Sequence, residues 1–158
     1  MTVPSPSTFN AERQCSGFTL VELMIVLALV GVVAVVAVPN FRQLVENNRV
    51  VAGTNSIVSA LSYARSEALR HGRLVVVDAR VAGAWEQGLT VTRGTEQLRV
   101  TEPLGNGISV TGERLEFRGN GLARAAGTYV VCADNNLPGR EISVTLGGRV
   151  QTSEVACP

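Results

Sequence analysis

The chain has 158 residues, 46% of them hydrophobic and 17% charged, with a formal net charge of +1. That length suits one domain of ordinary size, and so small a net charge gives no electrostatic reason for a nucleic-acid or acidic partner. All 14 basic side chains are arginine, a bias that fits GC-rich coding and says little about partners.

The average hides an asymmetry. Residues 18–38 read FTLVELMIVLALVGVVAVVAV and contain a single ionisable side chain, Glu22. A helix of that length spans roughly 30 Å, the thickness of a bilayer's hydrocarbon core. One transmembrane helix followed by one soluble domain is the expected architecture. A secretory signal fits poorly, because the apolar run is too long and leads through Pro39 into more helical pattern without an A-x-A-type exit. A plain anchor explains the length but leaves Glu22 unexplained. A carboxylate in such a run costs about 2.5–3.5 kcal/mol near the membrane centre and calls for a partner. Cutting the chain after Gly17 would supply one, since Phe18 would then carry a new α-amino group at the helix start, able to neutralise Glu22 of a neighbouring subunit.

The order Cys15-Ser16-Gly17-Phe18-Thr19-Leu20-Val21-Glu22-Leu23 resembles the type IV prepilin signal shared by type IV pilins and type II secretion pseudopilins. The resemblance implies cleavage between Gly17 and Phe18 by prepilin peptidase, N-methylation of Phe18, and a docking role for Glu22 in filament assembly. It also implies a single pass through the bacterial inner membrane, with the carboxyl-terminal domain in the periplasm and other pilin or pseudopilin subunits as partners. Two features depart from the usual pattern. The leader sets Glu12 against Arg13, which weakens its positive bias, and at 17 residues it is long.

Beyond the apolar run, Pro39 predicts a kink. The helical pattern resumes past it, with apolar residues at Phe41, Leu44, Val45, Val51, Ile57, Val58, Leu61, Ala64, Ala68 and Leu69 at mostly three- and four-residue steps. Arg42, Glu46, Asn47, Arg65 and Glu67 are expected on the opposite, solvated face. Gly72, after His71, is the expected terminator. The reading is one long helix over 18–71, kinked near Pro39 and loosened at Gly53-Thr54-Asn55, with its second half laid on a sheet. Thereafter the period becomes two. Strands are expected at 74–79, 88–92, 97–101, 108–111, 114–117, 128–133, 141–146 and 150–155, punctuated by Gly94, Gly105-Asn106-Gly107, Gly119-Asn120-Gly121 and Gly147-Gly148. This is an α+β fold with antiparallel sheets, divided as leader 1–17, assembly helix 18–38, amphipathic helix 39–72 and β-rich globular domain 73–158.

Of the three cysteines, Cys15 lies in the segment expected to be removed. Cys132 and Cys157 are left in a domain placed outside the cytoplasm, where one bridge is the simplest reading. The stretch Ala64-Arg65-Ser66-Glu67-Ala68-Leu69-Arg70 before the first strand, together with Trp85-x-x-Gly88, the late cysteines and Gly148-Arg149, resembles the GspH/FimT group of minor pilins and pseudopilins. On physics alone the first of these stretches is an ordinary amphipathic helix end.

No catalytic constellation stands out. His71 is the only histidine and reads as a solvated residue near a helix carboxyl terminus. No carboxylate pair, nucleophile motif, phosphate-cradling loop, metal-ligand spacing or cofactor motif appears, so the expectation is a protein that is not an enzyme, with no metal and no cofactor. FimT-like pilins are associated with DNA capture through a G-R-x-R tail motif, and here the matching residues are Gly148-Arg149-Val150-Gln151. Arg149 and Arg140 are the candidate DNA contacts, with Arg118 and Arg124 as helpers. Residues 114–158 carry five arginines against four acids, so solvated charges on a mixed surface are the favoured reading. Three functions follow from the resemblance: a minor pilin initiating or tipping a type IV pilus, an H-type pseudopilin supporting protein secretion, and a DNA-binding pilin for transformation. Val38-Pro39-Asn40-Phe41 resembles the pilus side.

Overall fold

The computed structural model describes residues 18–133 and 138–157. Its elements are one helix, α1 (Leu20–His71), and eight strands: β1 (Val75–Val81), β2 (Ala84–Arg93), β3 (Glu96–Val100), β4 (Ile108–Thr111), β5 (Leu115–Phe117), β6 (Gly127–Ala133), β7 (Gly139–Val144) and β8 (Val150–Val155). The described chain forms two compact units that divide after Pro39. In the first, the apolar run is helical from Leu20 onward and exposed on every side.

The second unit builds a core against the later half of α1. Val50, Ile57, Ala60, Leu61, Ala64 and Ala68 are buried, a stripe at three- and four-residue steps that puts one helix face on the sheets. Phe41, Leu44 and Leu69 belong to the same sequence pattern but stay exposed. α1 runs unbroken through Gly53-Thr54-Asn55, where loosening was expected. The physical reason is packing. Gly53 is buried, and a Cβ there would lie 3.6 Å from Val131 and 3.8 Å from Ile108 and Leu104, while the Thr54 hydroxyl donates to the Val50 carbonyl at 2.7 Å. Pro39 also lies within the continuous helix, without an N–H to donate to the preceding turn. Gly72 ends the helix with φ 61°, a left-handed conformation open to glycine.

The strands form two four-stranded antiparallel sheets, ordered β3-β2-β1-β5 and β4-β6-β7-β8. All eight expected strands are present, six of them with shifted ends. β1 and β2 extend toward each other to a tight turn at Ala82-Gly83, pairing Val81 with Ala84. Gly88, expected to open a strand, lies inside β2 with φ 100°, and a Cβ there would come within 2.4 Å of the Thr101 carbonyl. It therefore marks a close backbone approach. Between the sheets Trp85 stacks edge-on against Tyr129, ring centroids 5.2 Å apart at 77°, and the Tyr129 hydroxyl donates to the Glu113 carbonyl at 2.8 Å. An aromatic pair in that geometry adds about 0.5–1.5 kcal/mol beyond its buried area.

Candidate functional site

The first turn of α1 is built by its own sequence. Thr19 precedes the helix, and its hydroxyl accepts the Glu22 N–H at 3.2 Å while its carbonyl accepts the Leu23 N–H, also at 3.2 Å. This is one arm of a capping box, the T-x-x-E spacing in which a threonine side chain satisfies an otherwise orphaned donor. The sequence carried that signal openly, but reading Glu22 for intersubunit pairing left its spacing from Thr19 unused. A negative side chain in the first turn is also favoured by the helix dipole. Glu22 is exposed and makes no ion pair among the described residues. Phe18 is 83% exposed. Gly17, on the other side of the expected cut, and Cys15 both lie outside the described residues, as does the whole leader.

From Leu20 to Val38 the large apolar side chains are between 46% and 76% exposed. A helix apolar on all sides must be covered by lipid or by other helices, and this one is long and apolar enough to cross a membrane.

At the other end of the chain, Cys132 and Cys157 form a disulfide with Cα atoms 5.8 Å apart. The bridge joins β6 to the segment after β8 and passes over β7 at Gly139. A Cβ on Gly139 would stand 2.6 Å from the Cys157 sulfur and 2.8 Å from that of Cys132.

The candidate DNA contacts are not brought together. Arg140, near the start of β7, pairs with Glu154 across the β7–β8 ladder at 3.1 Å. Arg149 is exposed in the turn at the far end of that hairpin, about 15 Å away at some 3.3 Å per residue. Arg124 is held by Glu116 at 2.8 Å, and Arg114 joins the same carboxylate at 3.2 Å. The Arg124 hydrogen bond, reinforced by the charges of both arginines, holds the Glu116 carboxyl below its ordinary value against the opposing effect of burial. Arg118 is exposed.

The helix-end stretch is tertiary scaffolding. Arg65 and Glu67, expected in solvent, turn inward. The Arg65 guanidinium donates to the carbonyls of Gly121 and Gly147, each at 3.2 Å, tying two glycine turns to the helix. Glu67 is buried and receives His71 at 3.4 Å and Arg70 and Arg93 at 3.7 Å. Its partner Arg93 comes from the end of β2, a pairing that local pattern cannot reveal. His71 thus sits beside a carboxylate, although its side chain remains 40% exposed. Among the described residues, no group of three His, Cys, Asp or Glu side chains has the arrangement of a metal site.

Two family models match the chain. That of type II transport protein GspH covers residues 53–148, and that of the prokaryotic N-terminal methylation motif covers residues 13–38. A fimbrial protein of Pseudomonas aeruginosa is 34% identical over 92 residues, 54% of this chain and 59% of that protein. Fimbrial protein Q of Moraxella bovis is 33% identical over 109 residues, 65% of each chain. The chain thus spans about three fifths of the length of the curated relatives it matches. Two crystal structures of the type IV minor pilin FimU of Pseudomonas aeruginosa share the fold. The first has a TM-score of 0.62 at 24% identity, covering 70% of this chain and 92% of that one. The second has a TM-score of 0.55 at 25% identity, covering 65% and 90%.

Proposed function

The chain belongs to the type II transport protein GspH family and is a minor-pilin-like protein of the type IV pilus or pseudopilus kind, and from this premise we propose how it works. Prepilin peptidase cuts between Gly17 and Phe18, and the new Phe18 amine is N-methylated. Residues 18–38 hold the subunit in the inner membrane, with residues 73–158 as the globular domain in the periplasm and 39–72 joining them. The subunit then leaves the bilayer by packing this helix against those of other subunits, initiating or tipping the filament. Its action is assembly, with no catalytic step and no cofactor.

The observation that carries the proposal is the lone carboxylate of Glu22 in the first turn of α1, within an apolar run, residues 18–38, that is exposed on every side. Buried in lipid it costs about 2.5–3.5 kcal/mol. A neighbouring ammonium 4 Å away returns about 4 kcal/mol at an effective dielectric of 20. The two terms are of similar size and opposite sign, so the amine of one subunit offsets the cost of Glu22 in the next, and the isolated subunit is left with that cost.

Glu22→Ala tests this directly. The variant should still be cut and membrane-held, yet fall at least tenfold in sheared filaments; incorporation at the wild-type level would overturn the assembly role. Deleting the gene and assaying twitching, protein secretion and DNA uptake separately identifies the host filament. The split between Arg140, already paired, and Arg149 offers no joint phosphate-binding site, so the DNA reading gains no support from their placement.

A further inference from the structure

The chain contains two Asn-Gly pairs, Asn106-Gly107 and Asn120-Gly121, and each glycine adopts a positive φ of 76°. Such a pair is chemically reactive. The glycine nitrogen gives up its proton to water or hydroxide and attacks the asparagine side-chain carbon Cγ. An N–Cγ bond forms, the Cγ–Nδ2 bond breaks, and ammonia leaves with a proton as a cyclic imide closes. Water then opens the ring at either carbonyl, giving aspartate or its β-linked isomer. Glycine permits the attack because no Cβ crowds its nitrogen. The reaction consumes only water. It requires a glycine N–H open to solvent and not already bonded, and a side chain free to turn onto it.

The structure separates the two pairs on both requirements. Both asparagines are exposed, but Gly107 is exposed whereas Gly121 is buried. The Gly121 N–H donates to the Arg118 carbonyl at 2.8 Å, and the Arg118 N–H donates to the Leu122 carbonyl at 2.9 Å, closing the turn. Asn120 Oδ1 accepts the Leu122 N–H at 3.2 Å, which engages the side chain with the residue beyond its glycine. A Cβ on Gly121 would fall 2.8 Å from Leu69, and Arg65 donates to the Gly121 carbonyl at 3.2 Å. For the attack to occur there, several of these bonds must be given up first. Among the described residues, neither the Gly107 N–H nor the Asn106 side chain makes a hydrogen bond.

We infer that Asn106 is a site of spontaneous deamidation in the folded chain, and that Asn120, with the same local sequence, is protected by its fold. The residues on either side of the reactive turn are fixed. The Leu104 N–H donates to the Glu86 carbonyl at 2.9 Å, Ile108 pairs with Ala133, and both side chains lie 3.8 Å from the Cβ position of Gly53. Between these anchors, Gly105 and Gly107 give the turn the freedom to take up the added backbone atom of the β-linked product, so the globular unit stays folded. Each event lowers the formal net charge of +1 by one, and a subunit kept for long in a membrane or filament is marked by that charge. The inference is independent of the subunit reading.

The full-length chain, purified in detergent, is held folded in mildly alkaline buffer, and samples taken over days are cleaved after arginine at weakly acidic pH. With no lysine in the chain, this places Asn106 in peptide 100–114 and Asn120 in peptide 119–124. Peptide mass spectrometry should show Asn106 converting at least tenfold faster than Asn120, and isoaspartyl methyltransferase should label the 100–114 peptide. In guanidinium chloride the two rates should come within twofold of each other, which assigns the difference to the fold. Gly107→Ala should slow the reaction at Asn106 at least tenfold. Because alanine is strained at positive φ, Asn106→Ser serves as the second variant, and it should abolish the acidic shift of the aged chain on isoelectric focusing. Equal rates in the folded chain, reaction of Asn106 only in denaturant, an acidic shift that persists in Asn106→Ser, or loss of cooperative unfolding in the aged chain would each overturn the inference.

Discussion

Gly139 carries no side chain because two sulfur atoms occupy the space one would need. With a Cβ position 2.6 and 2.8 Å from the sulfurs of Cys157 and Cys132, Gly139→Ala should hinder the bridge, and intact mass under non-reducing conditions should show two free thiols, two hydrogens beyond the methylene that alanine itself adds. A comparable constraint holds Tyr129, where a Cβ on Gly112 would fall 2.3 Å from its ring. Burial, then the nearby charges of Asp78 and Glu113, push the Tyr129 phenol well above its ordinary value. The sign follows from which form the fold prefers. The neutral phenol is favoured, so its contribution to stability is complete below the unfolded value of about 10 and is lost as pH rises further. Denaturant titrations should show the midpoint falling above pH 10, and Tyr129→Phe should flatten that fall while lowering stability at neutral pH. An unchanged alkaline slope in Tyr129→Phe would refute the assignment. The sequence announced the cysteine pair by parity and compartment. It could not announce Gly139 or Gly112, whose neighbours come from other strands.

At the scale of elements, α1 and the eight strands were readable because period and punctuation agreed locally: a 3.6-residue stripe, then alternation broken by glycines. The errors have tertiary causes. Glu67 beside Arg70 and His71 has the composition of a solvated helix end, but Arg93 arrives from β2 and makes that end an interior. Arg65 reads as a surface charge until two turns, 56 and 82 residues away in sequence, present their carbonyls to it. Strand order is a further long-range property, and no local pattern placed β5 beside β1. These packings set stability. Leu61→Ala, at a fully buried position on α1, should cost about 2–5 kcal/mol, read as a lowered denaturant midpoint with an unchanged slope. Reducing the Cys132–Cys157 bridge, which closes a separation of 25 residues, should cost about 3–4 kcal/mol on the chain-entropy estimate. A loss below 1 kcal/mol on reduction would mean that β6–β8 hold the tail without it.

Over the whole molecule, the amino-terminal apolar helix and the globular unit answer different demands. The globular unit buries its own core, whereas the helix leaves its apolar surface for lipid or neighbours. The fold class and family were legible because the signal around Glu22 combines a glycine, an aromatic residue, a carboxylate and an uninterrupted apolar run. The candidate DNA contacts were less so, because Arg140 and Arg149 are nine residues apart in sequence yet stand at opposite ends of a hairpin. The central claim, a subunit cut after Gly17 that enters a filament through its freed helix, is tested most directly by mass spectrometry of the amino-terminal peptide in sheared filaments. The account predicts a peptide beginning at N-methylated Phe18 and reading Phe-Thr-Leu-Val-Glu. A chain still carrying its leader there, or absent from filaments altogether, would contradict it.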